Sequence, residues 1–498
     1  MKIAGMLILS MILTLGASVR RAAAQCPEGM LPPCRPVRAA AAPAPNSVAV
    51  LYFDNLSREP GDAYRADGLT EEIIVHLGQV RRLVVTSRSA VRRFRGGAES
   101  AAALGRLLGV AYIVSGAVRP AGGRLRVTAE LVRTGSGTRV WGDVFDRSGA
   151  DLFAIQAEIA EAVATAIAGQ LIPDERARLT TRPTSDPQAY DLYLRGQFFL
   201  GRFTEADIRR AIALYSQAIA RDSTFAIAFA ATAVAWNALA DDWLPPLETY
   251  PKARVAAERA LALDTSATAL TGLFWPVLAL DRDVRRAEAL ARRALSLDPR
   301  LADAHILSFA VASVRGDSTE AVAGARRAWE TDTLSYRGAF FYSEALGQNR
   351  RFNQLAAFVR RARDLMPADE ARGWEGVARL GVGDCPRAVE LLREARESHF
   401  RMDLGLALAC VGRREEARAL LDSTPAESGR RYVNAYFIAA LHVALGERDA
   451  AFEWLDRAAQ QRTAYLAYLQ TDFRWDGIRS DTRFAALQRR LWTQEMSR

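Results

Sequence analysis

The stretch AEALARRALSLDP (287–299) reads as one amphipathic helix with a marked end. Ala287 and Ala294 stand seven residues apart, almost two helical turns, so both lie on one face and let another helix approach closely. Asp298-Pro299 then stops the helix, since proline cannot continue one. The same spacing recurs as Ala211/Ala218, Ala253/Ala260, Ala321/Ala328, Leu355/Ala362, Ala388/Ala395, Ala417/Thr424 and Ala451/Ala458. First members are separated by 42, 34, 34, 34, 33, 29 and 34 residues. An unrelated helical bundle has no reason to repeat at 34, whereas a stack of helix pairs does.

A second amphipathic segment precedes each such helix, as 302–314 precedes 318–330. Asp222-Ser223, Asp264-Thr265, Asp332-Thr333 and Met366-Pro367 supply further stops. The pattern resembles the tetratricopeptide repeat, with its two small positions seven apart on the second helix and proline near the repeat end. The resemblance covers about 186–465 and implies about eight repeats over 188–465, although several lack the family's glycine and aromatic positions in the first helix. The 42-residue step is explained by an insertion, Asp241-Asp242-Trp243-Leu244-Pro245-Pro246, whose Trp243 either meets a partner or covers the core of its own turn.

Residues 1–24 read as an export signal: Lys2, an apolar run over 3–17, and a small-residue cleavage site at Ala22-Ala23-Ala24 before Gln25. The run is shorter than the roughly 20 apolar residues of a membrane span. Arg20 and Arg21 follow it, which leaves an uncleaved N-terminal anchor as the alternative. Export places the chain in the periplasm or cell envelope. Residues 25–46 are a Pro/Ala-rich tether.

The chain is long enough for two or three cores. Its net charge of +9 falls to +6 without Lys2, Arg20 and Arg21. Lysine occurs only at 2 and 252, a bias that suits a GC-rich genome. Arginines are scattered and set beside acids, as in Arg413-Arg414-Glu415-Glu416, so no basic patch points to nucleic acid. The four cysteines fall as Cys26 with Cys34 and Cys385 with Cys410. In an oxidising compartment each pair is a candidate disulfide; free thiols and a metal site are the alternatives, though neither pair has zinc-finger spacing. Cys385 and Cys410 fall at corresponding turns of adjacent repeats, on one edge of the stack.

Between the tether and the repeats, 47–172 predicts strands over 48–53 and 83–87, with helices to about Leu77 and over 100–108. A three-stranded meander follows (112–119, 124–131, 139–145), then a helix over 152–171. Asp67 or Thr70 is expected to cap the first helix. The phrases SVAVLYFDNLS (47–57), ADGLTEEII (66–74), YIVSGAVRPAGGRLRVTAELV (112–132), VWGDVFDR (140–147) and DLFAIQAEIAEAVA (151–164) resemble the TolB amino-terminal-domain-like family, with Tyr52 where that family usually has proline. In that family the domain commonly sits upstream of tetratricopeptide repeats. TDFRWDGIRSDTRFAALQRRLW (471–492) resembles the terminal segment of the same architecture. The expected fold is therefore an α/β domain, a mixed sheet with flanking helices, then a core-free linker over 173–187, an all-α tetratricopeptide-repeat solenoid, and a capping segment over 466–498.

Nucleotide, metalloprotease, serine-hydrolase and dithiol motifs are missing from the sequence. Gly135-Ser136-Gly137 falls in a hairpin turn, not between a strand and a helix. Asp67 fits a helix cap better than a metal ligand, Asp241-Asp242 is too few oxygens for a cation cage, and His76, His305 and His442 fit packed or solvated helix positions. No catalytic, cofactor-binding or metal residue is assigned, and the chain is expected not to be an enzyme. The expected function is an exported scaffold or adaptor binding protein segments on its concave repeat surface. The alternative is an envelope sensory subunit whose α/β domain binds a small ligand and signals to a membrane-associated partner.

Overall fold

The computed structural model describes residues 43–492 apart from 58–62, 93, 98, 122–123, 149–151, 181, 332, 334, 396–399 and 429–431. Cys26, Cys34, the Ala24/Gln25 cleavage site and most of the tether therefore lie outside the described residues.

The chain opens with β1 (Ser47–Val50), β2 (Asp54–Asn55), α1 (Ala63–Gly78), β3 (Val84–Val85), α2 (Arg88–Arg92) and α3 (Ala101–Leu108). The meander β4 (Tyr112–Ala121), β5 (Arg124–Arg133) and β6 (Thr138–Ser148) follows, then α4 (Leu152–Ala168). The sheet order is β3-β1-β4-β5-β6, with β2 also on β4. β1 runs parallel to both neighbours and needs crossover connections, which carry α1 and α3; β4, β5 and β6 are antiparallel and need only turns. β5 alternates strictly, burying Leu125, Val127, Ala129 and Leu131 on the face that α1 and α4 cover. On the other face Ala49, Tyr52 and Ile113 pack with Val91 and Leu104 from α2 and α3. This is a mixed sheet with helices on both faces.

α1 starts earlier than the expected cap. Asp67 lies within the helix, buried, with its carboxylate 2.6 Å from Arg95. Thr70 donates to the Ala66 carbonyl at 2.9 Å and accepts from Phe53 N at 3.0 Å. Neither residue caps.

The expected linker also differs. It carries α5 (Pro173–Thr180), whose Leu179 is fully buried and whose Glu175 accepts from Arg82 at 2.7 Å. α6 (Pro187–Leu200) then packs directly on α1. Gly68 permits this: a Cβ there would stand 3.1 Å from Leu194. Tyr64 donates to Asp191 of α6 at 2.6 Å. One hydrophobic core runs without a break from Val48 to Leu239. The reason lies in α1, which buries residues all round its circumference and so requires cover from the sheet and from α6 together.

Among the described residues, eight helical hairpins follow. They are α6 with α7 (Glu205–Arg221), α8 (Ala226–Leu239) with α9 (Pro246–Leu263), and α10 (Ala267–Pro276), extended by a π-turn at Val277–Asp281, with α11 (Val284–Leu297). Next come α12 (Ala302–Val314) with α13 (Ser318–Thr331), α14 (Tyr336–Gln348) with α15 (Phe352–Ala362), and α16 (Ala368–Gly381) with α17 (Cys385–Glu394). The last two are α18 (Arg401–Cys410) with α19 (Arg414–Ser428) and α20 (Ala435–Ala444) with α21 (Arg448–Gln461). Two 3-10 turns, Ala464–Tyr468 and Phe473–Trp475, lead to α22 (Thr482–Leu491).

The seven-residue pairs fall on the second helix of each hairpin. Ala211, Ala218, Ala253, Ala260, Ala287, Ala294, Ala321, Ala328, Leu355, Ala362, Ala388, Ala417, Ala451 and Ala458 are all essentially buried. Ala395 departs from the pattern: α17 ends at Glu394, leaving Ala395 beyond the helix in extended backbone and half-buried.

Candidate functional site

The insertion after α8 places Asp241 in the left-handed backbone region, at φ 70°, with its carboxylate turned inward. One oxygen accepts from Tyr250 Oη at 2.7 Å and from Ala464 N at 3.1 Å, and the other from Asn434 Nδ2 at 3.3 Å. Asn434 also donates to Thr463 Oγ1 at 2.8 Å, and Tyr465 Oη donates to Asp242 at 3.2 Å. The second hairpin is thus tied to the eighth, and the solenoid closes on itself. Burial pushes the Asp241 carboxyl up to about 6 against these donors. Both its oxygens are engaged, so this pair of aspartates is a clasp rather than a cation ligand. Trp243 lies half-buried with its ring edge-on to Phe203, centroids 5.9 Å apart, and so covers its own hairpins.

Inside the closed array lie residues 463–479. Tyr468 stacks on Phe309 of α12, ring centroids 5.1 Å apart and nearly parallel. Tyr436 of α20 donates to Asp472 at 2.8 Å and receives Trp475 Nε1 at 2.8 Å. Arg474 binds Asp403 of α18 with two bonds, 2.8 and 3.0 Å, and Asp472 at 3.2 Å. Burial opposes that guanidinium's charge, but Asp403 and Asp472 outweigh it and raise its proton affinity. Arg350 adds a bond to the Thr471 carbonyl at 2.9 Å. The segment expected to cap the end of the stack instead rests on the first helices of several hairpins, the surface expected to hold a partner. The motif TDFRWD (471–476) marked this segment in the sequence, but nothing in it named Asp403 or Phe309 as the seat.

A second buried cluster joins the sheet to the first hairpin. Glu72 of α1 meets Tyr190 of α6, whose hydroxyl donates to Gln156 of α4 at 2.8 Å. Burial raises the Glu72 carboxyl to about 7, opposed by its hydrogen bond with Tyr190. Burial lowers His76, whose ring lies edge-on to Phe153. His305 bonds the Pro299 carbonyl at 3.0 Å, and His442 Nδ1 lies 2.8 Å from Glu447. Cys385, opening α17, is disulfide-bonded to Cys410, closing α18, with Cα atoms 6.0 Å apart. Among the described residues no group of three or more His, Cys, Asp or Glu could hold a metal, and no helix is long and apolar enough to cross a membrane.

No protein-family model matches the chain, so the TolB-like resemblance rests on the quoted phrases alone. A curated protein of Rhizobium meliloti (strain 1021), named "Putative adenylate cyclase 3", is 33% identical over 192 residues, 39% of this chain. The match spans 33% of that protein's length. The expectation that the chain is not an enzyme is corrected by this similarity and does not stand. Solved structures with similar helical arrays include the APC/C hetero-tetramer Cut9-Hcn1 (11% identity, 68% of this chain, 62% of that one, TM-score 0.42). Yeast Tom70 aligns at 14% identity over 68% of this chain and 82% of its own (TM-score 0.36). YrrB, a TPR protein with an unusual peptide-binding site, aligns at 16% over 44% of this chain and 97% of its own (TM-score 0.24). At these TM-scores the likenesses add no argument. The tetratricopeptide-type solenoid stands on the eight described hairpins and on the buried small residues of their second helices, Ala395 excepted.

Proposed function

We propose that the chain is a protein-interaction scaffold, exported to the periplasm or cell envelope, that takes an extended segment of a protein partner on its helical array. The observation behind this reading is the seating of 463–479: the array already grips a stretch of polypeptide outside its hairpins, folded as two 3-10 turns, through ring stacking and carboxylate–guanidinium bonds. Repeat solenoids present such extended surfaces by construction. The α/β domain, with its TolB-like phrases, is the natural seat for a second, membrane-associated partner. Nucleic acid has no part in this reading. A photo-crosslinking residue in place of half-buried Phe341, on α14, should capture a distinct envelope protein, while one in place of exposed Leu297 should not. Identical captures from the two positions would remove the reading. N-terminal sequencing of envelope protein should return Gln25; an intact Met1 in membranes would mean an uncleaved anchor.

The curated similarity favours a second reading, in which the chain serves an adenylate-cyclase reaction, as the enzyme or as the part that recruits it. Purified chain incubated with ATP and a divalent cation tests the first form. Cyclic product at no more than the buffer rate would eliminate it.

A further inference from the structure

Two arginines are held in left-handed backbone at one place on the molecule. Arg282 (φ 57°) ends the π-turn of the third hairpin, and Arg462 (φ 59°) ends α21. That region is unfavourable for a residue other than glycine, and each arginine takes it to end a helical segment. The two side chains line one shallow pocket with Thr463, Leu278, Leu491 and Trp492. Among the described residues no carboxylate belongs to that lining. Arg282 spends one N–H on the Ala459 carbonyl at 2.7 Å, and the Arg462 side chain makes no hydrogen bond or ion pair among the described residues. The nearby Arg490 is already paired with Asp456.

We propose that Arg282 and Arg462 form a binding site for the phosphate or carboxylate group of a small diffusing molecule. A desolvated cation beside other cations is unfavourable without a counter-charge, and a bound anion supplies one. Burial first, then repulsion from Arg462 and Arg490, bring Arg282 down to about 10, the same strain seen as a titration. Guanidinium forks match the planar carboxylate and the phosphate face with paired N–H bonds. The pocket joins the third hairpin to the end of the eighth, so an anion there also fastens the closed array. This goes beyond the scaffold reading and does not depend on it.

The test is titration of the full chain with inorganic phosphate and, separately, acetate, at constant ionic strength against chloride, read by calorimetry and by melting temperature. At least one anion should bind saturably. Arg462→Gln should weaken that binding about tenfold, the loss of one charge-assisted contact, while Arg292→Gln, on an exposed helix face, should leave it unchanged. Arg282→Gln should act like Arg462→Gln; should it fail to fold, Arg462→Gln carries the test alone, since that side chain makes no hydrogen bond or ion pair among the described residues. Phosphate without acetate identifies a phosphate ester as the ligand class, and acetate without phosphate a carboxylate. Absence of saturable binding by both anions, or equal binding by wild type and Arg462→Gln, overturns the proposal.

Discussion

Arg474 meets Asp403 through two hydrogen bonds, 2.8 and 3.0 Å, with both side chains all but excluded from water at 4% and 0% exposure. The pair holds a terminal turn against a helix 71 residues earlier in the chain. Removing one partner of such a pair strands a buried charge and costs about 3–5 kcal/mol. Asp403→Ala should therefore lower stability by about that amount in denaturant titration. The double change Asp403→Leu with Arg474→Met should recover much of the loss. A double variant no better than the single one would mean that the pair is not what seats the segment.

Ala294 packs against Leu270 and Ala304, with no exposed surface. Ala294→Phe should cost about 1–3 kcal/mol by forcing these helices apart. Arg292, two positions away, has a side chain 71% exposed, and Arg292→Ala should stay within about 0.5 kcal/mol of wild type. Equal losses from the two changes would contradict the packing register.

The Cys385–Cys410 bond closes a loop of 25 residues across the sixth and seventh hairpins. Chain entropy assigns such a cross-link about 3–4 kcal/mol. Reduction and alkylation should shift the denaturant midpoint accordingly, and a Cys385→Ala, Cys410→Ala variant should match the reduced protein. Peptide mapping without reductant checks the bond directly, and free thiols at both positions would disprove it.

Glu72 has its carboxyl raised to about 7 by burial between the sheet and the first hairpin. An unfolded glutamate ionises near 4.3, so the folded state holds the proton more tightly. The resulting stability is fully present below the unfolded value and is lost as pH rises towards 7. Glu72→Gln, neutral throughout, should thus gain in melting temperature relative to wild type between about pH 5 and pH 8. The difference between the two curves isolates Glu72 from Asp241, whose carboxyl is raised in the same direction. A difference that stays flat over that range would show the carboxyl to be solvated.

The local pattern of the chain was enough to place the hairpins. A seven-residue spacing of small side chains defines one helix face, a repeat near 34 makes each face meet the next pair, and alternation in 124–131 defines one side of a strand. These are short-range periodicities, and the physics that reads them is local. Three features were decided only by the tertiary structure. The stretch expected as a linker became α5 because its Leu179 and Glu175 find buried places against the domain, a fact visible only once the sheet and α1 are assembled. Asp241 found Asn434, 193 residues away, because small rotations between successive hairpins sum to a closed turn, and no window of sequence carries that sum. Once the array closes, its interior is an apolar, low-dielectric space, and the segment whose rings and charges match Phe309, Tyr436 and Asp403 fills it.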